Sequence, residues 1–280
     1  MNNKLWEADL KTKLDSNLRS YEKYISKKFN KNFKNNFNNI SDWSIKNPGN
    51  FWTSIWNFCK VNGTKSKIDI KKSNIFFKNI FLPKSNLNFG ENLLSRKDKK
   101  KAITFISENN FREERSWEDL NHNVSKIINF FKENNIKKKD RIASYSINSI
   151  ENVEYFIATS TIGSIWSSCS PDFGVNGVIE RFSQINPKVL FITDRYFYNG
   201  KEINILKRIP KILKKIPSIK YLVISNYPGK AFLKKKKFKK VKTFLSSKIN
   251  KTNKAEIKFE KFDFEHELAI LYSSGTTGKP

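Results

Sequence analysis

Between Ala102 and Ile224 short apolar runs alternate with segments of helical periodicity, and few folds accept such a chain. Arg141-Ile142-Ala143-Ser144-Tyr145, Ser164 to Cys169, Val189 to Thr193 and Tyr221-Leu222-Val223-Ile224 have the length of buried strands. Leu120, Val124, Ile127, Ile128 and Phe131 recur at helical spacing. Ile150 to Thr161 and Val175 to Gln184 read as two more helices. Strands separated by helices of this length cannot pair as hairpins. They require crossovers, and the expected result is an α/β fold with a parallel, doubly wound sheet.

The flanking segments fit around that unit. Ala102 to Ser107 and Phe111 to Ser116 read as a hairpin, and Ser116-Trp117-Glu118-Asp119 as a capping box with Asp in place of the usual Glu. Ile203 to Ile216 is expected to be helical, divided or kinked by Pro210. Residues 229–260 are Lys-rich and weakly patterned, and Lys234 to Lys237 with Lys239 and Lys240 read as a solvated excursion. Before residue 99 the chain is mainly helical. Leu10, Leu14, Leu18 and Tyr21 share a helical face, the Asn/Lys/Phe tract at 29–39 reads as a loop, and a helix follows Asn47-Pro48-Gly49 and ends near Gly63. Trp43, Trp52 and Trp56 read as its packing anchor, Ile75-Phe76-Phe77 as a strand, and Asn88 to Leu94 as a short helix. The expected divisions are 1–36 as a helical and linker extension, 37–98 as an N-terminal region, and 99–280 as the start of the α/β domain.

Charge excludes less than it suggests. The net charge is +28, but the 54 basic residues include only eight Arg, and Lys, Asn, Ile and Phe abound together. Those four share A/T-rich codons, so genome bias accounts for the charge and no nucleic-acid partner is expected, although a basic surface attracts anions. Cys59 and Cys169 match neither disulfide nor zinc spacing, and both read as core filler in a reducing, cytoplasmic compartment. The N-terminus lacks the apolar run of a signal peptide. The most apolar stretch, Tyr155 to Trp166, is too short to span a bilayer, so no membrane insertion is expected. No metal site is read from the sequence: Glu265-His266-Glu267 are adjacent residues whose side chains diverge on a strand.

The last ten residues carry the chemistry. Ala269-Ile270-Leu271-Tyr272 reads as a buried strand, and it breaks into Ser273-Ser274-Gly275-Thr276-Thr277-Gly278-Lys279-Pro280. Hydroxyls, glycine-freed backbone N–H groups and a lysine are what a polyphosphate needs. A Walker loop is excluded, because Ser273 and Pro280 stand where that pattern requires Gly and Ser or Thr. The plain alternative is a flexible Ser/Gly turn. The motif runs to Pro280, and the expectation is that these residues are the front piece of a longer protein.

Two stretches resemble a known family. Tyr272 to Pro280 resembles the phosphate-binding signature of the adenylate-forming enzymes, which include acyl-CoA synthetases, luciferases and peptide-synthetase adenylation domains. Ile162 to Gly174, followed by Arg181 to Phe191, resembles the acetoacetate-activating synthetases more closely than the acetate-activating ones, which carry a Gly-Gly pair near the position of Pro171-Asp172. Phe51 to Cys59, Leu87 to Leu94 and Tyr198 to Lys201 add to it, and the resemblance is thinnest over 1–35 and 229–260. It implies the first part of the large N-terminal domain of an ATP-dependent acid–thiol ligase of lipid and ketone-body metabolism. The implied substrates are acetoacetate, ATP with Mg2+, and coenzyme A. By resemblance, Ser273, Ser274, Gly275, Thr276, Thr277, Gly278 and Lys279 hold the phosphates, Ser170, Pro171 and Asp172 border the coenzyme A channel, and Lys201 meets the nucleotide phosphate of coenzyme A. Lys201 also reads as an ordinary surface lysine. The adenylation lysine and the acyl pocket are expected beyond Pro280, so the 280 residues alone are expected to be inactive. Three other readings stay open: a ligase for acetate, propionate or butyrate, a non-catalytic remnant, and a basic nucleotide- or RNA-binding module.

Overall fold

The computed structural model describes residues 5–108, 110–233, 238–251 and 253–273. The chain forms two compact units, 1–86 and 87–280.

In the first unit, α1 (Leu10–Leu14), α2 (Asn17–Phe29), α3 (Phe37–Lys46) and α4 (Pro48–Phe58) precede the two-residue strands β1 (Gly63–Thr64), β2 (Ile70–Lys71) and β3 (Ile80–Phe81). β4 (Asn86–Leu87) lies at the junction. Tyr21, Ile25, Phe33, Ile40 and Trp43 form the core. Phe29 and Phe33 pack their rings 5.0 and 5.5 Å from Trp43.

Five expectations fail here. The tract 29–39 is not all loop. Asn30, Lys34 and Asn35 turn the chain with positive φ, and the Asn36 side chain caps α3 by accepting from the Asn38 N–H. Leu10, Leu14 and Leu18 stay exposed while Tyr21 and Ile25 are buried. Of the three tryptophans Trp43 is buried and Trp52 is exposed. Residues 76–78 form a single 3-10 turn with Phe77 exposed. Cys59, at the end of α4, is exposed and not core filler.

The second unit begins with α5 (Phe89–Leu93) and the hairpin β5 (Lys101–Ile106) and β6 (Arg112–Ser116). Then come α6 (Trp117–Glu133), β7 (Arg141–Tyr145), α7 (Ile150–Thr161), β8 (Ile165–Cys169), α8 (Val175–Ile185) and β9 (Val189–Thr193). A second hairpin, β10 (Arg195–Tyr198) and β11 (Lys201–Asn204), leads to α9 (Ile209–Lys215), β12 (Tyr221–Ser225), β13 (Lys242–Leu245) and α10 (Ser246–Ile249). The sheet has the order β13-β12-β9-β7-β8, with every pair parallel.

Alternate strand residues feed two helix layers. Ile142, Phe191 and Val223 pack with α6 and α7, through Leu120, Ile127, Phe131 and Tyr155. Ala143, Leu190, Ile192 and Leu222 pack with α8 and α9, through Val178, Phe182, Ile209 and Ile212. The Tyr155 ring stacks on Phe191 at 3.8 Å, and its hydroxyl pairs with Ser225 at 2.9 Å. Ser116 caps α6 as expected: its hydroxyl accepts the Asp119 N–H at 3.0 Å and donates to the Asp119 carboxylate.

Two further expectations are corrected. Ile203 to Ile216 is not one helix, because residues 201–204 pair with 195–198 and the helix starts at Ile209. Pro210 lies in its first turn, where the missing N–H would have no helical partner anyway, so it starts the helix and does not kink it. Residues 242–249, in the weakly patterned stretch 229–260, form an edge strand and a helical turn. Lys234 to Lys237 lie outside the described residues.

A buried acid supplies the first prediction. Glu154, on α7, is 2% exposed, accepts from Asn123 at 2.9 Å and faces the Arg115 Nε at 3.0 Å. Burial outweighs Arg115 and raises its pKa from 4.5 to about 7. Below pH 4.5 both states hold the proton and the contribution to stability is complete. Between 4.5 and about 7 only the unfolded chain ionises, so stability falls as pH rises, by up to about 3 kcal/mol. Urea unfolding across pH 4.5–7.5 should show this slope in the parent protein and a flatter one in Glu154→Gln.

Candidate active site

The segment that leads into the Ser/Thr/Gly run is tied to the second unit at successive points. The backbones of Phe262 and Leu87 exchange hydrogen bonds of 2.8 and 3.0 Å. Asn88, fully buried, donates to the carbonyls of Thr161 and Glu260 at 2.9 and 2.7 Å. The His266 ring stacks on Phe262 at 4.2 Å, and its Nε2 lies 3.0 Å from the Gly163 carbonyl. Gly163 has φ +69°, and a Cβ there would overlap the Phe262 ring. The segment then runs parallel to β8. The Trp166 N–H donates to Leu268 O at 3.1 Å, the Ile270 N–H to Trp166 O at 2.8 Å, and the Ser167 hydroxyl to Ile270 O at 2.9 Å.

Ala269 to Tyr272 is therefore an edge segment with one bridge and not a buried strand. Ala269 and Leu271 are exposed and Ile270 and Tyr272 half-buried, as expected for an extended run covered on one face. Ser273 is exposed. Ser274, Gly275, Thr276, Thr277, Gly278 and Lys279 lie outside the described residues.

Because 268–270 is parallel to β8, Ser273 and Ser170 leave the sheet at the same end, the C-terminal end of the strands. Ser170 and Asp172 are exposed and linked, hydroxyl to carboxylate, at 3.0 Å, whereas Pro171 is buried. The loop is fixed from beneath. The buried Tyr145 hydroxyl lies 3.1 and 2.8 Å from the carbonyls of Pro171 and Phe173. Arg208 donates to Tyr145 Oη and, at 2.9 Å, to Pro171 O. Gly174 is the N-cap of α8 and offers no capping side chain. Trp166 and Cys169 are buried, as expected for sheet core. Burial pushes the Cys169 thiol up to about 11, which leaves it unionised and unreactive at neutral pH.

Lys201 is exposed on β11, just past the C-terminal end of β9. The sheet order puts β7 between β8 and β9, a lateral step of roughly 10 Å, so Lys201 shares an end of the sheet with Ser170 but not its strand. Its hairpin is anchored by Asp194, which is fully buried. The Asp194 carboxylate accepts the N–H groups of Tyr227 and Leu233 at 2.9 and 3.0 Å and pairs with Arg195 at 3.1 Å. Arg195 also reaches Glu202 at 3.1 Å.

Sequence pattern assigns no role to Tyr145, Asp194 or Arg208, and it weighs His266 only as a metal ligand. Only Asp194-Arg195 carried a signal, as opposite charges directly after an apolar run. Among the described residues no three His, Cys, Asp or Glu side chains stand together as a metal cage.

Loops gathered at the carboxyl ends of an open parallel sheet are where α/β proteins bind nucleotides and cofactors. Residues 91–280 match the family described as AMP-binding enzyme, and the chain belongs to it. More particularly, it is 35% identical to the acetoacetyl-coenzyme A synthetase of Rhizobium meliloti strain 1021, over 85% of this chain and 36% of that protein. It is 34% identical to the acetoacetyl-CoA synthetase of Gallus gallus, over 87% of this chain and 38% of that protein. The chain thus spans well under half the length of these curated relatives. The solved structure of an acetoacetyl-CoA synthetase from Streptomyces lividans shares the fold, with a TM-score of 0.85 at 24% identity, over 98% of this chain and 42% of that one.

Gly163→Ala should loosen the 262–270 segment. The αL conformation alone costs an L-residue roughly 1–2 kcal/mol, and displacement of Phe262 adds to that. Amide hydrogen exchange at Trp166 and Ile270 should accelerate. Gly200→Ala, with φ +72° but open space around its Cβ, should leave those amides unchanged.

Proposed function

We propose that the protein is an acid–thiol ligase that activates acetoacetate with ATP and transfers it to coenzyme A. The observation that carries this reading is the parallel docking of 268–270 on β8, which brings the start of the Ser/Thr/Gly run and the Ser170–Asp172 loop to one end of the sheet. The acid is inferred from the named relatives and from the Ile162 to Gly174 stretch.

In the first step a carboxylate oxygen of acetoacetate attacks the α-phosphorus of ATP, and the P–O bond to pyrophosphate breaks. Ser273, Ser274, Gly275, Thr276, Thr277, Gly278 and Lys279 are proposed to hold the β- and γ-phosphates through hydroxyls, backbone N–H groups and one ammonium. In the second step the coenzyme A sulfur attacks the acyl carbon, AMP leaves with the bonding electrons, and the thiol proton is lost. Ser170, Pro171 and Asp172 border the path of the thiol in this reading, and Lys201 meets the nucleotide phosphate of coenzyme A. In this reading the phosphates of ATP are the main ligands of Mg2+. A cytoplasmic setting belongs to the same proposal and agrees with two unpaired cysteines. No helix among the described residues is long and apolar enough to cross a membrane.

The test is an assay of the full reading frame that contains residues 1–280, with acetoacetate, acetate, propionate and butyrate as acids. Acetoacetate should give a kcat/KM at least about tenfold above the others, within reach of one pocket that reads a ketone. A preference for acetate would overturn the assignment.

A further inference from the structure

Arg181 stands between the two loops of the proposed site. It lies on α8, half-buried, and its guanidinium carbon is 4.2 Å from the centre of the Phe173 ring and 5.8 Å from that of Tyr272. Both distances lie within the range of cation–π attraction, and the planar group can face a ring on either side. One Nη donates back to the Gly177 carbonyl at 3.0 Å, which fixes the side chain along the helix. The Arg181 carbonyl in turn accepts the Tyr272 hydroxyl at 2.8 Å. Gly177 keeps the stack clear: a Cβ there would press on Phe173 at 3.3 Å and on the guanidinium at 3.4 Å.

The two rings belong to different segments. Phe173 closes the Ser170–Asp172 loop, and its carbonyl is held by Tyr145. Tyr272 immediately precedes Ser273. Tyr272 packs against the core on the α8 side of the sheet, its ring and hydroxyl meet Arg181, and the Ser167–Ile270 bond ties the same segment to β8. A shift of either segment therefore has to move the guanidinium or give up a ring face.

We infer that Arg181 is a positioning residue that couples the coenzyme A-side loop to the phosphate-side loop, so that the placement of each depends on the other. This rests on the functional reading proposed above. The coupling is mechanical, and the guanidinium need not touch either substrate.

The experiment uses the full reading frame that contains residues 1–280, with Phe173→Leu, Tyr272→Leu, Arg181→Lys and Arg181→Met. Phe173→Leu should raise the KM for ATP, on the far side of the stack, by about three- to tenfold, the size of a cation–π contact. Its effect and that of Tyr272→Leu should be non-additive, and the non-additivity should vanish in Arg181→Met. Arg181→Lys, which keeps the charge but not the plane, should restore part of it. A KM change confined to coenzyme A, or additive effects in the parent background, would overturn the coupling. Hydrogen exchange supplies a readout that needs no activity: Tyr272→Leu and Arg181→Met should both accelerate exchange over residues 170–174. Unchanged exchange there sinks the inference. Absence of acetoacetate-dependent turnover in the unsubstituted protein with accelerated exchange in the variants would sink the functional reading alone.

Discussion

A parallel sheet must be covered on both faces, and in this chain β9 bears that constraint most heavily. All five of its residues are buried, with Val189 and Phe191 on one side and Leu190 and Ile192 on the other. Coverage requires helices in two layers, and the crossovers between strands supply them. Once β7, β9 and β12 are buried in this way, their carboxyl ends open at one edge, and the loops that leave there share a neighbourhood. The Ser170–Asp172 loop, the Lys201 hairpin and the segment ending at Ser273 all leave from that edge.

Polar groups set the loops at that edge once the apolar core has set the sheet. Asp194 is fully buried, and its burial is offset by two backbone donors and a guanidinium. It holds the β10–β11 hairpin against the segments that follow β12. Tyr145 and Arg208 do comparable work under Pro171 and Phe173. A buried charge without such partners would cost several kcal/mol. These anchors therefore specify single loop positions where apolar packing alone would permit several.

Much of this was legible in residue order. The β7 to β12 alternation and the Ser116 cap both rest on local pattern, and local pattern survives folding when it agrees with the tertiary environment. The failures are equally specific. Ile203 lies in a hairpin because residues 195–198 are available to pair with 201–204, a partnership no helical periodicity reveals. Lys242 to Leu245 forms a strand because β12 lies alongside it, although its own composition argues for solvent. Phe37 to Lys46 is helical because Asn36 caps it and Trp43 has Phe29 and Phe33 to pack against.

The sequence by itself determined the α/β class and the family resemblance, since both depend on residues near one another in the chain. Only the tertiary structure decided which distant side chains meet. The pairing of 268–270 with β8 joins segments about a hundred residues apart through backbone bonds that carry no sequence signature. The same holds for Arg181 between Phe173 and Tyr272. A guanidinium on a helix reads as a surface charge until the sheet brings two aromatic rings to it.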